Sequence, residues 1–249
     1  IFNELEQGGL VNTMDEFWSS VHELANKPES MAVREAAIQK GVTLTTQFNH
    51  TAKNLKEYRT QLGSEIEGRV DKFNDHTKRI ARLNQQIKAI ETDTSKKAND
   101  LMDKRDDLLD KLSKIADVSY KIDKDNQVNV SLNGINIVHG KYQNHLDYST
   151  KTVDKTVDGV NYQYEKYEFS VGNNQAKIKD GEIKGFMESR KEIQDYKMNK
   201  LDKLARELAS EVNAEHSAGF GLNGTTGEDF FEFTAGEEKA EKFQIRDII

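Results

Sequence analysis

Five aspartates fall within eleven positions of the stretch ANDLMDKRDDLLDKLSKIADV, residues 98–118. Asp100, Asp103, Asp107 and Asp110 recur at i, i+3, i+7 and i+10, which on a helix places four carboxylates on one face. Such a row could hold a hard divalent cation or take part in acid–base work. A cation site, however, wants carboxylates that converge from several elements or from a tight loop, whereas one helix splays them apart. Leu101, Leu108, Leu112 and Ile115 form the opposite stripe, and Lys104, Arg105, Lys111 and Lys114 offer the aspartates partners at helical spacing. The stretch reads as the solvated side of a helix whose other side enters a core.

The remaining candidates for chemistry fail on spacing or context. DKDNQVNVSLNG, from Asp123, begins like a calcium loop with Asp123, Asp125 and Gln127, but lacks the glycine at the sixth place and the glutamate at the twelfth. GFGLNG, residues 219–224, spells the dinucleotide fingerprint, yet that motif needs a strand before it and a helix after it. Here a long helical pattern precedes it and a glycine-rich tail follows. His22, His50, His76, His139, His145 and His216 include no i,i+4 pair and no H-E-x-x-H, and His139 and His145, both in a β-rich region, read as surface residues. Without cysteine there are no disulfides, thiolate metal sites or cysteine nucleophiles. No catalytic, metal-ligating or cofactor-binding residue is assigned, no cofactor is expected, and the chain reads as no enzyme.

The composition points to architecture. Of 249 residues, 35% are hydrophobic, 32% are charged and one is proline, a mixture that suits elongated helices burying one narrow stripe each. The formal charge of −7 argues against a nucleic-acid partner, because phosphate binding needs a basic face. No apolar run approaches the 18 or so residues of a membrane span, so no membrane partner is expected. The start IFNELEQGG is neither an initiator methionine nor a signal peptide, and we expect a fragment.

Periodicity then places the elements. A first helix over NTMDEFWSSVHELAN is capped by Asn12 or Thr13, repeats Met14, Phe17, Val21 and Leu24, and stops at Pro28. A second runs from Glu29 or Ser30 to about Thr94 and carries a seven-residue repeat. One column holds Phe48, Leu55, Leu62, Arg69, His76, Leu83 and Ile90; the other holds Ala52, Arg59, Ile66, Phe73, Ile80 and Ile87. A third helix spans about 95–117 and returns antiparallel after the turn TDTSKK. The period then changes to two. VNVSLNGINIVHG is a hairpin about Asn133-Gly134, and VNYQYEKYEFSV, between Asp158-Gly159 and GNNQ, is a further strand. The lysine-rich STKTVDKTVDG is expected to be an exposed loop. Helical spacing returns from Glu182 to about Glu215 through Ile183, Met187, Ile193, Leu201, Leu204, Leu208 and Val212.

The expected fold is therefore mainly α: an elongated antiparallel bundle of long helices with a small β-rich insert and an irregular C-terminal arm. Its expected parts are a helical domain at 1–117, the insert at 118–180, a returning helix at 181–216, and an arm at 217–249 that a further β domain could follow. On the residues alone, two functions compete with a purely structural role. One is an intracellular coiled-coil organiser or spacer; the other is a metal-dependent or carbohydrate-active surface protein using the insert.

Three stretches resemble the flagellar hook-associated protein 1 family: DEFWSSVHELANKPESMAVREAAIQKGVTLTTQFN at 15–49, ANDLMDKRDDLLDKLSKIADV at 98–118 and VNAEHSAGFGLNGTTGEDFF at 212–231. The middle one is the most specific, since Asn99, Asp100, Leu101, Asp103, Arg105, Asp106, Leu108 and Leu112 reproduce the family's N-D-L-x-D-x-R-D-x-L-x-x-x-L pattern. In that light Arg105 amid aspartates reads as part of a structural ion-pair ladder. The resemblance implies a bacterial protein exported by the flagellar secretion apparatus, assisted by an export chaperone. It would be placed outside the cell as a ring at the hook–filament junction, against the hook protein and the second junction protein. Members carry terminal helices that form an inner coiled-coil tube; neither is recognisable here, which implies a core fragment that is monomeric in isolation.

Overall fold

The computed structural model of the chain describes residues 9–92, 97–157, 160–221, 224–234 and 239–246. The chain forms two compact units, Ile1–Arg59 with Glu192–Ile249, and Thr60–Lys191. Helix α1 spans Leu10–Asn26 and starts one turn earlier than the sequence suggests, after Gly9. Asn12 and Thr13 therefore do not cap it. The Thr13 hydroxyl donates to the carbonyls of Leu10 and Gly9 at 2.9 and 3.3 Å, and the Asn12 amide donates to Glu16 at 2.9 Å. Helix α2, Met31–Glu91, gives its first half to the first unit and its second half to the other.

Of the two seven-residue columns of α2, one stays in the core, through Ala52, Ile66, Phe73, Ile80 and Ile87, and the other does not. Phe48, Leu55, Leu62, Ile66, Phe73, Ile80 and Ile87 are all buried. The column through Arg69, His76, Leu83 and Ile90, by contrast, turns out of the core: Arg69, His76 and Leu83 are half-buried and Ile90 is exposed. Val70, Thr77 and Asn84, each one position on, take its place. A straight helix drifts by about 20° per heptad against a 3.5-residue repeat, so a face that stays against one neighbour must slip by a residue within a few turns. One column of the expected seam is thus kept and the other slips by a residue, on a helix whose second half packs on a mixed core of helix and strand.

In the second unit, the latter half of α2 meets α3, Asn99–Ile115, and two antiparallel sheets. The first sheet is a meander of β1 Val118–Ile122, β2 Val128–Leu132, β3 Ile135–His139 and β4 Tyr142–Gln143. Its β2–β3 turn holds Asn133 and Gly134 at φ 47° and 82°, the two positive angles a type I′ turn requires. The second sheet is β5 Leu146–Val157, β6 Val160–Val171 and β7 Asn174–Ala176. The stretch 149–157, expected as a loop, is strand: β5 pairs with β6 in register from Leu146↔Val171 to Val157↔Val160. Continuous backbone pairing to β6 holds it although Lys151, Thr152, Asp154 and Thr156 show no buried alternation. The Asp158-Gly159 turn lies outside the described residues. Ile66, Phe73, Ile80, Leu108, Leu112, Val130, Leu146, Phe169 and Ile183 share one core.

Helix α4, Glu182–Glu192, passes through a π-helical segment, Ile193–Met198, into α5, Asn199–Ala218, where the sequence suggests one uninterrupted helix. The tail beyond it carries regular structure. β8 Phe231–Phe233 and β9 Phe243–Ile245 pair antiparallel with Phe231 opposite Ile245 and Phe233 opposite Phe243. In the first unit Phe17, Leu44, Phe48, Leu55, Ala205, Leu208, Phe231 and Phe243 are buried. The fold is mainly α with small antiparallel sheets. The other α-helices, at 11 to 20 residues, are far shorter than the 61-residue α2, which departs from a bundle of long helices.

Candidate functional site

The aspartate row that opened the question lies in solvent. Asp100, Asp103, Asp106, Asp107 and Asp110 are all exposed, and Asp107 pairs with Lys111 at 2.6 Å. Among the described residues no group of three or more His, Cys, Asp or Glu could hold a metal ion. Of the rest of the motif, Asn99 is exposed, Leu101 is half-buried, and Leu108 and Leu112 enter the core.

Arg105 corrects the sequence reading most sharply. Of the expected structural ion-pair ladder it keeps one long pair, to Asp106 at 4.0 Å: only 2% of it is exposed, and its Nε has no hydrogen-bond partner. Its Nη1 instead donates to the Asn126 carbonyl at 2.7 Å and to Asn84 Oδ1 at 3.3 Å. Burial pushes its pKa down, but a guanidinium starts so high that it stays cationic. A buried cation of this kind must be surrounded by acceptors, and the structure supplies them from α2 and from the β1–β2 turn.

Asn84 is the centre of that arrangement. Its Nδ2 donates to the carbonyls of Val128 and Gly140 at 2.7 and 2.8 Å, and its Oδ1 accepts from the Val128 N–H at 3.0 Å. Asn126, held at φ 57°, passes the network on to α2 by donating to Glu91 at 3.0 Å. That bond holds the Glu91 carboxyl below its ordinary range. Nearly three turns earlier on α2, Asn74 repeats the device: Nδ2 donates to the Leu146 carbonyl and Oδ1 accepts from the Leu146 N–H, both at 2.9 Å. A primary amide presents one donor and one acceptor side by side, as a strand does, so each asparagine acts as a one-residue neighbouring strand.

The first unit uses the same chemistry. Asn213 on α5 accepts from Phe230 and Phe231 N–H at 2.9 and 2.8 Å and donates to the Phe231 carbonyl at 2.8 Å. Asp202 accepts from Ala240 N–H at 2.8 Å, and Asn49 donates to the Phe243 carbonyl at 3.1 Å. In the second unit, Tyr167 donates to Glu67 at 2.9 Å beneath Arg190, whose guanidinium carbon lies 4.9 Å from the ring centroid. Burial first, and then the Glu67 contact, pushes the Tyr167 phenol up to about 12.

The candidate calcium loop is consumed in the same way. Asp123 accepts from the N–H groups of Asp125 and Gln127 at 3.0 and 2.9 Å and from the Asn129 amide at 3.3 Å, a turn-closing pattern. His139 and His145 are both exposed. Leu222 and Asn223 of GFGLNG, with most of the TDTSKK turn, lie outside the described residues. Sequence reasoning missed Asn74, Asn84 and Asn213. The available signal was their phase: Asn84 lies four residues after Ile80 and three before Ile87, on the buried face, where a polar side chain demands a partner.

A 61-residue helix whose buried amides grip strand backbone defines a mainly α domain that carries short antiparallel strands. The family described as "Flagellar hook-associated protein FlgK helical domain" matches residues 1–231, and the chain belongs to it. Flagellar hook-associated protein 1 of Escherichia coli is 31% identical over 227 residues, 89% of this chain and 41% of that protein. Its namesake in Bacillus subtilis is 26% identical over 268 residues, 97% of this chain and 52% of that protein. The chain thus spans about half the length of these curated relatives, or less. The flagellar hook junction protein FlgK from Burkholderia pseudomallei shares the fold, with a TM-score of 0.74, 23% identity, and coverage of 94% of this chain and 42% of that one.

Proposed function

We propose that the chain is a load-bearing part of the hook–filament junction of a bacterial flagellum, a mechanical adaptor that catalyses nothing. The observation that carries the reading is family membership across residues 1–231, shared with relatives named for association with the hook. The clasps support it, because a part that transmits force needs strands that cannot slip on their helix. Each clasp fixes one strand residue at both its N–H and its C=O. On this reading the full-length protein is exported through the flagellar channel with a chaperone and takes its place in a ring of identical copies. It then contacts the hook protein on one side and the second junction protein on the other. In dilute solution the isolated chain is a monomer.

The test is localisation and complementation. Full-length protein expressed in a strain lacking it should restore motility, and immunogold against this chain should label the base of the filament on intact cells. Label confined to the cytoplasm, or motility restored without any label at the filament base, would sink the proposal.

A further inference from the structure

We infer that the β5–β6 hairpin docks onto the aspartate face of α3 in a neighbouring copy of the same chain. The inference rests on the reading above that several copies assemble together, and it names the surfaces they use. Lys151 and Lys166 are directly opposite in the β5–β6 register, and both are exposed. Like charges at opposed positions of an antiparallel pair repel, so the arrangement weakens the hairpin. Among the described residues no ion pair relieves it. Neither lysine has an ion-pair partner among the described residues, and Glu168, two residues along the same face, pairs with neither. A pair of ammonium groups brought side by side by strand pairing is a receptor for carboxylates.

The complementary surface is on the same molecule. With Arg105 drawn into the core, the outer face of α3 shows Asp100, Asp103, Asp107 and Asp110, and only Asp107 is matched by an ion pair among the described residues. A copy's own hairpin does not reach that face. Arg105 meets α2 at Asn84, whereas Tyr167, next to Lys166, meets it at Glu67. Those levels are separated by about 25 Å at 1.5 Å per residue. Two unlike patches at different levels of one subunit make a heterologous contact, the kind that closes into a ring when the rotation permits.

Carbodiimide cross-linking tests this, because it joins an amine to a carboxylate only where the two touch. In concentrated, low-salt solution of the chain, mass spectrometry should find adducts of Lys151 or Lys166 with Asp100, Asp103 or Asp110, and high salt should abolish them. The double variants K151E/K166E and D103K/D110K, each shown folded by circular dichroism, should separately lose the adduct. Their one-to-one mixture should regain intermolecular cross-links between the exchanged positions. Absence of these adducts, adducts at other surfaces only, or a mixture as inert as either variant alone would overturn the assignment. Label at the filament base would in that case still leave the junction role standing.

Discussion

The two units solve one problem with different means. The unit at 60–191 is a continuous stretch of chain whose core is mostly aliphatic, and Asn74 and Asn84 on α2 grip its strands. The other is assembled from both flanks of the sequence. It rests on aromatic rings: Phe17 to Phe231 at 5.6 Å, Phe231 to Phe243 at 4.7 Å, and Phe48 to Phe243 at 5.3 Å between centroids. A two-stranded ribbon such as β8–β9 is marginal by itself, and large flat side chains supply the area that few residues cannot otherwise bury. Short strands on a helix thus need either many rings or well-placed amides, and Asn213 shows that the first unit uses both.

The sharpest way to break that contrast is to empty the ring cluster. Phe243→Ala should cost about 3–5 kcal/mol. Trp18, the only tryptophan, lies 5.4 Å from Phe17 and reports on that unit, so urea unfolding followed by its fluorescence should show the loss. A midpoint unchanged by Phe243→Ala would mean that the rings are incidental.

Next in size is Asn84→Leu, which leaves the Val128 N–H and C=O, the Gly140 carbonyl and part of Arg105 unsatisfied. A cost of about 3 kcal/mol follows from orphaning buried polar groups. Hydrogen exchange should place the loss in residues 60–191, and an equal loss in the Trp18 transition would erase the distinction between the units.

Gly181→Ala should follow at about 2 kcal/mol, because the site has φ 90° and an added Cβ would fall 2.7 Å from the Ile115 carbonyl oxygen. Thermal unfolding measures it; a neutral result would show that the α3–α4 contact yields easily.

The smallest effect is electrostatic. His76 is half-buried with Nδ1 unpartnered, since Asp75 at 3.7 Å is too distant to bond; burial lowers its pKa, Asp75 opposes this, and Arg79 and Lys111 add to it. The fold therefore favours the neutral ring, and the unfolded chain binds more protons between the lowered value and the ordinary 6.5. Stability should fall as pH drops through that window, and His76→Gln should flatten the slope. An unchanged slope would remove His76 from the account.

How much of this was legible in the sequence depended on whether the partner was local. Asn133-Gly134 announced its turn because the signal and the structure share two residues. Strand β5 was hidden because Lys, Thr and Asp alternate without an apolar face, and only its pairing with β6 makes it a strand. The buried amides were hidden more deeply: Asn84 bonds a backbone 44 positions away and Asn74 one 72 positions away, and no local pattern encodes that. Arg105 was misread for the same reason, since its aspartate neighbours in sequence lie in solvent while its acceptors come from other elements.

Residue-resolved amide exchange at Val128, Leu146 and Phe231 tests the central idea most directly, because each N–H donates to an asparagine side chain. Side-chain clasps that truly substitute for a neighbouring strand predict slow exchange at all three, near the most protected amides of each unit, with Val128 released in Asn84→Leu. Fast exchange at these three positions in the unaltered chain would contradict it.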